Sequence, residues 1–343
     1  MQIALVTTGG NSLGRAYCLW MLATHLGWSV TPYLVAGERR WPPLVGTKFD
    51  AAVQDARVLA EQIPVYDVVI AYQPLLETFG LARTFCRKGG ATLLTDVDEP
   101  LWEQRFGYVP KSQMHVALRR LCRGDNPVSP FYQRHEARRH PVMISNPALS
   151  DLYDGAVIPH VREAGSMGTW PNTDRLRVSF VGTPRAHKGV AILRAAISTT
   201  KGTELFVTAD APDQAKSGEH WLGETSLAGG LQIVTDCHVA AIVSNDSRWA
   251  QKQLPVKAID AMSAGRLVIA SDLPPLRWAL GPDAVFVRPG DLGDLQRALA
   301  WARDHLDEVE ARGLRLRERF VARFAVPAVS SQFRSVVETA AAR

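Results

Sequence analysis

The sequence predicts an α/β protein made of two Rossmann-like units, each with a parallel sheet between helices. Three observations carry that prediction. Short apolar runs recur at residues 3–7, 67–72, 91–95, 177–182 and 267–271, and such runs suit parallel strands covered on both faces. Stretches of helical period separate them. Strand, short glycine-bearing turn and helix follow one another at 3–26 and again at 177–199, which is how doubly wound folds open. A length of 343 residues agrees with about two domains.

In the first half, residues 3–7 form strand one. Thr8-Gly-Gly-Asn-Ser-Leu-Gly14 turns the chain into a helix over 15–26, and 29–35 is strand two. Gly9, Gly10 and Gly14 let backbone approach a ligand without a Cβ in the way. Residues 50–62 read as a helix, 67–72 as strand three, 75–88 as a helix stopped by Gly89-Gly90, and 91–95 as strand four. That strand runs into Asp96-Val-Asp-Glu-Pro. Asp98 and Glu99 stand just past its C-terminal end, where open α/β sheets bind ligands. They either meet a ligand there or cap the helix that begins near Pro100. Met114, Ala117, Leu118 and Leu121 give 111–123 helical spacing. Residues 142–145 and 156–159 close the first sheet, and His160 reads as a hinge residue rather than a base. Residues 162–174, rich in Gly, Ser, Thr and Pro, are the linker.

The second half begins with a strand at 177–182. Gly182-Thr-Pro-Arg-Ala-His-Lys-Gly189 then leads into a helix over 190–199. Arg185 and Lys188 add charge to a turn that already points amides at an anion. Residues 204–208, 231–235, 240–244 and 284–287 read as strands, 209–230 as loops around a helix, 292–305 as a helix, and 308–342 as one or two more. The most informative stretch is 253–272. Pro255 suits a helix start, Gly265 a helix stop, and 267–271 a buried strand. Lys257 and Asp260 stand three apart and so share one face near the positive end of that helix. A lysine there favours phosphate, and a carboxylate accepts bonds from sugar hydroxyls. Taken alone, the two read first as an exposed ion pair, and it is the surrounding pattern that favours a ligand.

Together these segments resemble the GT-B glycosyltransferases of the family-4 type (glycosyl transferases group 1). The resemblance is dense at 176–189 and 253–291, where Lys188-Gly189 and the run of proline, basic residue, acidic residue, Ala-Met-x-x-Gly and apolar strand follow the family pattern. It implies a GT-B fold with two Rossmann-like domains whose parallel sheets face an interdomain cleft. An N-terminal domain over 1–161 would take the acceptor and a C-terminal domain over 175–320 the nucleotide sugar. A last helix over 321–343 would pack back on the first domain. The implied activity is transfer of a hexosyl group from a nucleotide-diphosphate sugar, with retention, no metal and no separate cofactor. Arg185 and Lys188 would hold the pyrophosphate and act catalytically with Asp98. Gly9, Gly10, Gly14, Gly182, Pro255, Lys257, Asp260 and Glu99 would bind substrate, with Asp260 on the ribose. Two positions depart from the pattern. Thr183 stands where the family arginine follows the glycine, so Arg185, two residues on, is the candidate. Lys252 occupies the first of the family's two acidic positions.

Composition narrows the alternatives. No apolar run approaches a membrane span, and residues 1–6 read as a strand rather than a leader. Cys18, Cys86, Cys122 and Cys237 have no metal spacing and read as reduced buried thiols of a cytoplasmic protein. The net charge of +5 is concentrated at 105–141, with Arg105, Lys111, Arg119, Arg120, Arg123, Arg134, Arg138 and Arg139 against Asp125 and Glu136. That run is either a solvated face or a patch for an anionic acceptor or the inner membrane surface. Nucleic-acid binding is not expected, as no zinc spacing or basic-aromatic motif accompanies the charge. An NAD-linked oxidoreductase lacks its glycine spacing here. A non-catalytic sugar-nucleotide or nucleic-acid binder and a GT-B UDP-sugar epimerase are the competing readings.

Overall fold

The computed structural model describes residues 1–35, 37–61, 65–103, 134–184 and 188–342. These form two compact units. One comprises Met1–Trp41, Gly46–Pro159 and Val329–Arg343, the other Pro42–Val45 and His160–Ala328. No helix among the described residues is long and apolar enough to cross a membrane.

The first unit carries seven strands: β1 (Gln2–Thr7), β2 (Ser29–Leu34), β3 (Gln54–Asp55), β4 (Val68–Tyr72), β5 (Thr92–Val97), β6 (Val142–Ile144) and β7 (Ala156–Val157). Their order is β3-β2-β1-β4-β5-β6-β7, and every pairing is parallel. The sheet therefore grows in one direction from β1 and in the other from β4. β4 is buried along its whole length, as a central strand covered on both faces must be. Ala4, Val6, Val69 and Ala71 pack in one cluster with Phe79, Phe85 and Tyr33. Helix α1 (Ser12–His25) follows β1 and buries Leu13, Ala16, Leu19 and Leu22.

The helix expected over 50–62 is broken. α2 (Lys48–Ala52) ends at Val53, whose backbone is extended, and Gln54 and Asp55 pair with Tyr33 and Leu34 as an added edge strand. Helix α3 (Ala56–Glu61) then resumes. β-branched Val53 and the bond from the Arg57 amide to Asp55 Oδ1 (2.8 Å) favour the break. Helix α4 (Leu81–Gly89) is preceded by a wide turn over Leu76–Gly80. The helix expected over 111–123 lies outside the described residues, as do Arg105, Lys111, Arg119, Arg120, Arg123 and Cys122. The remaining basic residues of that run are engaged within the unit. Arg134 pairs with Glu103, Arg138 donates to the Leu152 carbonyl (2.6 Å), and Arg139 pairs with Glu136 (3.5 Å).

The second unit has six parallel strands: β8 (Leu176–Phe180), β9 (Thr203–Val207), β10 (Glu219–Trp221), β11 (Val239–Ile242), β12 (Leu267–Ser271) and β13 (Val285–Val287), in the order β10-β9-β8-β11-β12-β13. Alternation along β12 divides the core. Val268 and Ala270 enter the cluster with Ile259, Met262 and Phe320, while Leu267 and Ile269 enter the one with Phe180, Leu193 and Leu299. The helices are α5 (Val190–Thr199), α6 (Leu227–Thr235), α7 (Val256–Ser263), α8 (Pro274–Leu280), α9 (Leu292–Asp304) and α10 (Leu306–Arg323). α11 (Val326–Ala341) starts in this unit, and from Val329 it belongs to the first, where Phe333 meets Trp28 at 5.9 Å.

Residues 231–235, expected as a strand, are the last turns of α6. The Ser226 hydroxyl caps that helix by accepting from the Gly229 amide at 3.0 Å. Gly230 and Val234, four apart, are the buried positions, which is a helical spacing. The strand in this region is instead the short edge β10.

One charged contact among the described residues of the first unit is fully buried. The Arg15 guanidinium grips the Asp96 carboxylate at 2.6 Å (Nη2 to Oδ1) and 3.0 Å (Nε to Oδ2), and donates to the carbonyls of Ile158 and Pro159. Asp96→Ala is expected to destabilise the protein by about 3–5 kcal/mol, because it strands a buried guanidinium. Arg15→Met with Asp96→Leu is expected to recover most of that loss. Urea midpoints of the three variants measure both.

Candidate functional site

In a parallel sheet a ligand crevice forms where the strand order reverses, outside the carboxyl ends of the two strands concerned. In the second unit that place lies between β8 and β11. The turn after β8 carries Gly182, Lys188 and Gly189, and the loop after β11 runs to Pro255 and α7. Gly189 caps α5 with a left-handed backbone (φ 64°), and a Cβ there would meet the Val243 backbone at 3.1 Å. The turn after β8 is thus pressed onto the end of β11. The Gly182 amide donates to Thr208 Oγ1 (2.8 Å), and the Ser244 amide donates to Ser271 Oγ (2.9 Å). These bonds tie the carboxyl ends of neighbouring strands together. Pro255 is the N-cap of α7, and its carbonyl accepts from the Ala258 amide (2.9 Å).

Lys257 and Asp260 share a face of α7 as expected, but they do not pair with each other. Asp260 takes the Arg162 guanidinium, with Nε at 2.6 Å from Oδ1. Burial raises the Asp260 carboxyl above its ordinary range and Arg162 draws it back down. Arg162, expected in the linker, is itself buried. Its amide donates to the Phe324 carbonyl and its carbonyl accepts from the Val326 amide.

Lys257 turns the other way. Its ammonium lies 3.9 Å from the centre of the Phe180 ring, buried, with no hydrogen-bond partner among the described residues. Burial, and after it the positive charge of Lys188, lowers its pKa to about 7. Two lysines thus face one place, and the carboxylate that could neutralise one of them is spent on an arginine. Arg185 lies outside the described residues.

The first unit reverses its strand order between β1 and β4. Gly10 is left-handed (φ 61°), and its amide donates to the Arg39 carbonyl (2.9 Å). A Cβ on Gly9 would collide with the Arg39 backbone, and one on Gly14 would touch the Trp41 ring at 3.1 Å. The packing of 39–41 over the turn accounts for Gly9 and Gly14 by itself. Asp98 and Glu99 follow β5 and are half-buried. Burial raises the Asp98 carboxyl well above its ordinary range. Glu99 and Asp96 add to that shift, and Arg15 opposes it. The Asp98 carbonyl accepts from Ser145 Oγ (2.8 Å).

The twin reversing sheets decide the architecture. The chain has the GT-B fold. Among solved structures it is similar to HepE of Anabaena, solved in complex with UDP-glucose, at 14% identity over 99% of this chain and 100% of that one, with a TM-score of 0.76. It is also similar to the sucrose-phosphate synthase of Thermosynechococcus elongatus, at 15% identity over 99% and 98%, with a TM-score of 0.71. A glycosyltransferase of Rickettsia africae follows at 13% identity over 99% and 98%, with a TM-score of 0.69. No protein-family model and no curated protein matches the chain in sequence.

Within this GT-B fold, sequence reasoning missed Phe180 and Arg162. Phe180 was legible only as a strand residue, and nothing in the linker composition marked Arg162. Removing the uncompensated ammonium should relieve the free protein. Lys257→Met is expected to raise the melting temperature in the absence of ligand. The gain should be largest below about pH 7, where the lysine is charged in the fold, and should fade as pH rises past that value. Thermal melts across that range measure it.

Proposed function

We propose that the protein transfers a sugar from a nucleotide-diphosphate sugar to an acceptor hydroxyl, with retention of configuration and without a metal. The observation that carries this reading is the Lys257 ammonium, buried beside Lys188 at the point of strand reversal with no hydrogen-bond partner among the described residues. A diphosphate supplies the charge that this place lacks. Its oxygens would accept from Lys188, from Lys257 and from the amides at the start of α5. The fold shared with HepE, which was crystallised with UDP and with UDP-glucose, makes a uridine nucleotide the first to test.

The chemistry follows from charge. As the glycosidic bond breaks, negative charge gathers on the departing diphosphate. Cations already desolvated around it stabilise that charge more than they stabilise the intact donor, so they lower the barrier. Lys188 and Lys257 take this role, joined by Arg185 from the same turn, and a divalent ion is not required for it. Asp260, held by Arg162, presents its second oxygen to the ribose hydroxyls. Asp98 and Glu99 belong to the acceptor side. Lys252 stands in place of the first acidic residue of the family pattern, the one that would touch the donor sugar.

A thermal-shift series with UDP, GDP, ADP and dTDP tests the binding step. The true nucleotide at a hundred times its dissociation constant is expected to add about 2.7 kcal/mol of stability. Lys188→Ala is expected to abolish the shift, and an undiminished shift in that variant refutes the site. In turnover, loss of Lys188 is expected to raise the barrier by about 3–4 kcal/mol, and chelation by EDTA to leave the rate unchanged.

Binding should also take up a proton. The diphosphate raises the lowered Lys257 pKa, so above about pH 7 affinity is expected to fall by up to roughly tenfold per pH unit. Calorimetry in buffers of different ionisation enthalpy measures the uptake, and Lys257→Met is expected to remove it.

A further inference from the structure

The Lys257 nitrogen has the surroundings of a nucleophile as well as those of a cation. The side chain as a whole is only partly buried, but Nζ is shielded from water and bonds to no acceptor among the described residues. An ammonium carries three N–H donors, and in water each finds an oxygen. Here the Phe180 ring lies 3.9 Å from the nitrogen, and an aromatic face attracts a cation without replacing those oxygens.

The elements packed on α7 do little to restore the balance. α6, β11 and β12 bring no charged side chain to it. Arg277 of α8 is paired with Asp272, and Arg317 of α10 donates to the Ser263 carbonyl (2.5 Å) at the far end of the helix. Asp260, one turn on, is taken by Arg162 at 2.6 Å. Lys188, from the turn after β8, is the charge that bears on Lys257, and it repels the ammonium. Arg185 and His187 of the same turn lie outside the described residues.

A lysine stripped of water and set beside another cation gives up its proton readily, and the neutral amine is a nucleophile. Burial and then Lys188 bring the Lys257 pKa to about 7, so that amine is present at neutral pH. Two lysines in one place repel each other as long as both are ammonium ions. An electrophile that turns one nitrogen into an anion replaces the repulsion with an ion pair. Carbon dioxide does this. An aldehyde does not, because the imine it forms is neutral or positive.

We propose that Lys257 is a carbon dioxide site: Nζ forms a carbamate, and Lys188 with the amides that open α5 receives its carboxylate. The amine lone pair attacks carbon and makes the N–C bond, one C=O π pair moves onto oxygen, and one N–H proton leaves to water. Oxidation states do not change. α5 follows the left-handed Gly189 with no side-chain cap on its first amides, which suits that positive end to an added anion. The carbamate stands independently of the transferase reading. Its competition with a nucleotide diphosphate rests on that reading: both anions call on the same two lysines, so nucleotide would expel carbon dioxide and take up protons.

The test equilibrates the full-length protein with isotopically labelled carbon dioxide, fixes the adduct by O-alkylation with a trialkyloxonium salt, and locates it by peptide mass spectrometry. Label is expected on Lys257 and not on the exposed Lys201 or Lys216. At constant carbon dioxide pressure its yield should rise steeply as pH passes up through about 7. Lys257→Arg keeps a cation and is expected to lose the label. Lys188→Ala keeps the nucleophile and removes the receiving cation, and it should lower the label about tenfold, as loss of one charged partner implies. UDP is expected to displace the label from the unaltered protein. Label missing from Lys257, spread evenly over the exposed lysines, or undiminished in Lys188→Ala overturns the proposal. Missing label with UDP bound normally does so while leaving the nucleotide site standing. Label that persists with UDP bound upholds the carbamate and refutes the shared site, and label without any UDP binding upholds the carbamate and refutes the nucleotide site.

Discussion

The arrangement of charge around Lys257 is the constraint to which the second unit is built. An ammonium removed from water is expensive unless an anion or a set of acceptors replaces the lost hydration. Here the replacement is the face of Phe180, a favourable but modest partner. A carboxylate stands one helical turn away, which is normally near enough to pair. It is turned aside because Arg162 offers a guanidinium at 2.6 Å from Oδ1. The pair that forms is internally neutral and the cation left over is not. Sites that keep such an imbalance do so at some cost in stability, and a ligand of opposite charge removes that cost.

The place of that imbalance follows from topology. Both sheets reverse their strand order once, between β1 and β4 and between β8 and β11. At each reversal a turn from one strand meets the loop from its neighbour, and the backbone groups there have no further strand to pair with. The same architecture appears twice, with different charged side chains at the two reversals among the described residues. Asp96, Asp98 and Glu99 face the first reversal with Arg15 already committed, whereas Lys188 and Lys257 face the second. A fold alone does not choose a ligand; these side chains do.

The sheets and most helices were legible because their signals are local. Apolar runs at β1, β4, β5 and β12 read as strands, and the glycine turns announced α1 and α5. Reading failed where a short apolar run fitted two periods. Residues 231–235 are apolar enough for a strand, and only the Ser226 cap and the four-residue spacing of Gly230 and Val234 mark a helix. The break at Val53 needed a partner strand from elsewhere in the chain. For the site, the position of Lys257 and Asp260 on one helix face could be read from their spacing. Their partners could not, since Phe180 lies 77 residues before Lys257, and Arg162 98 residues before Asp260. No spacing rule reaches that far. Gln73, left-handed (φ 63°) after β4 with its amide bonded to the Asp96 carbonyl, gave no signal at all, because such a conformation is imposed by its surroundings.

On the proposed reading, the lack of an ion partner for Lys257 among the described residues is itself part of the chemistry. A lysine bonded to a carboxylate would have to give up that bond as charge grew on the departing diphosphate, and the exchange would return little. A lysine already desolvated, held over an aromatic face and repelled by a second lysine, has no such bond to give up. Its interaction with the leaving group strengthens continuously as the glycosidic bond lengthens. The free enzyme meets that energy in advance as lost stability, which is the general form of electrostatic preorganisation. Arg162 serves the same end indirectly: by holding Asp260, it keeps the nearest carboxylate from neutralising the cation before substrate arrives.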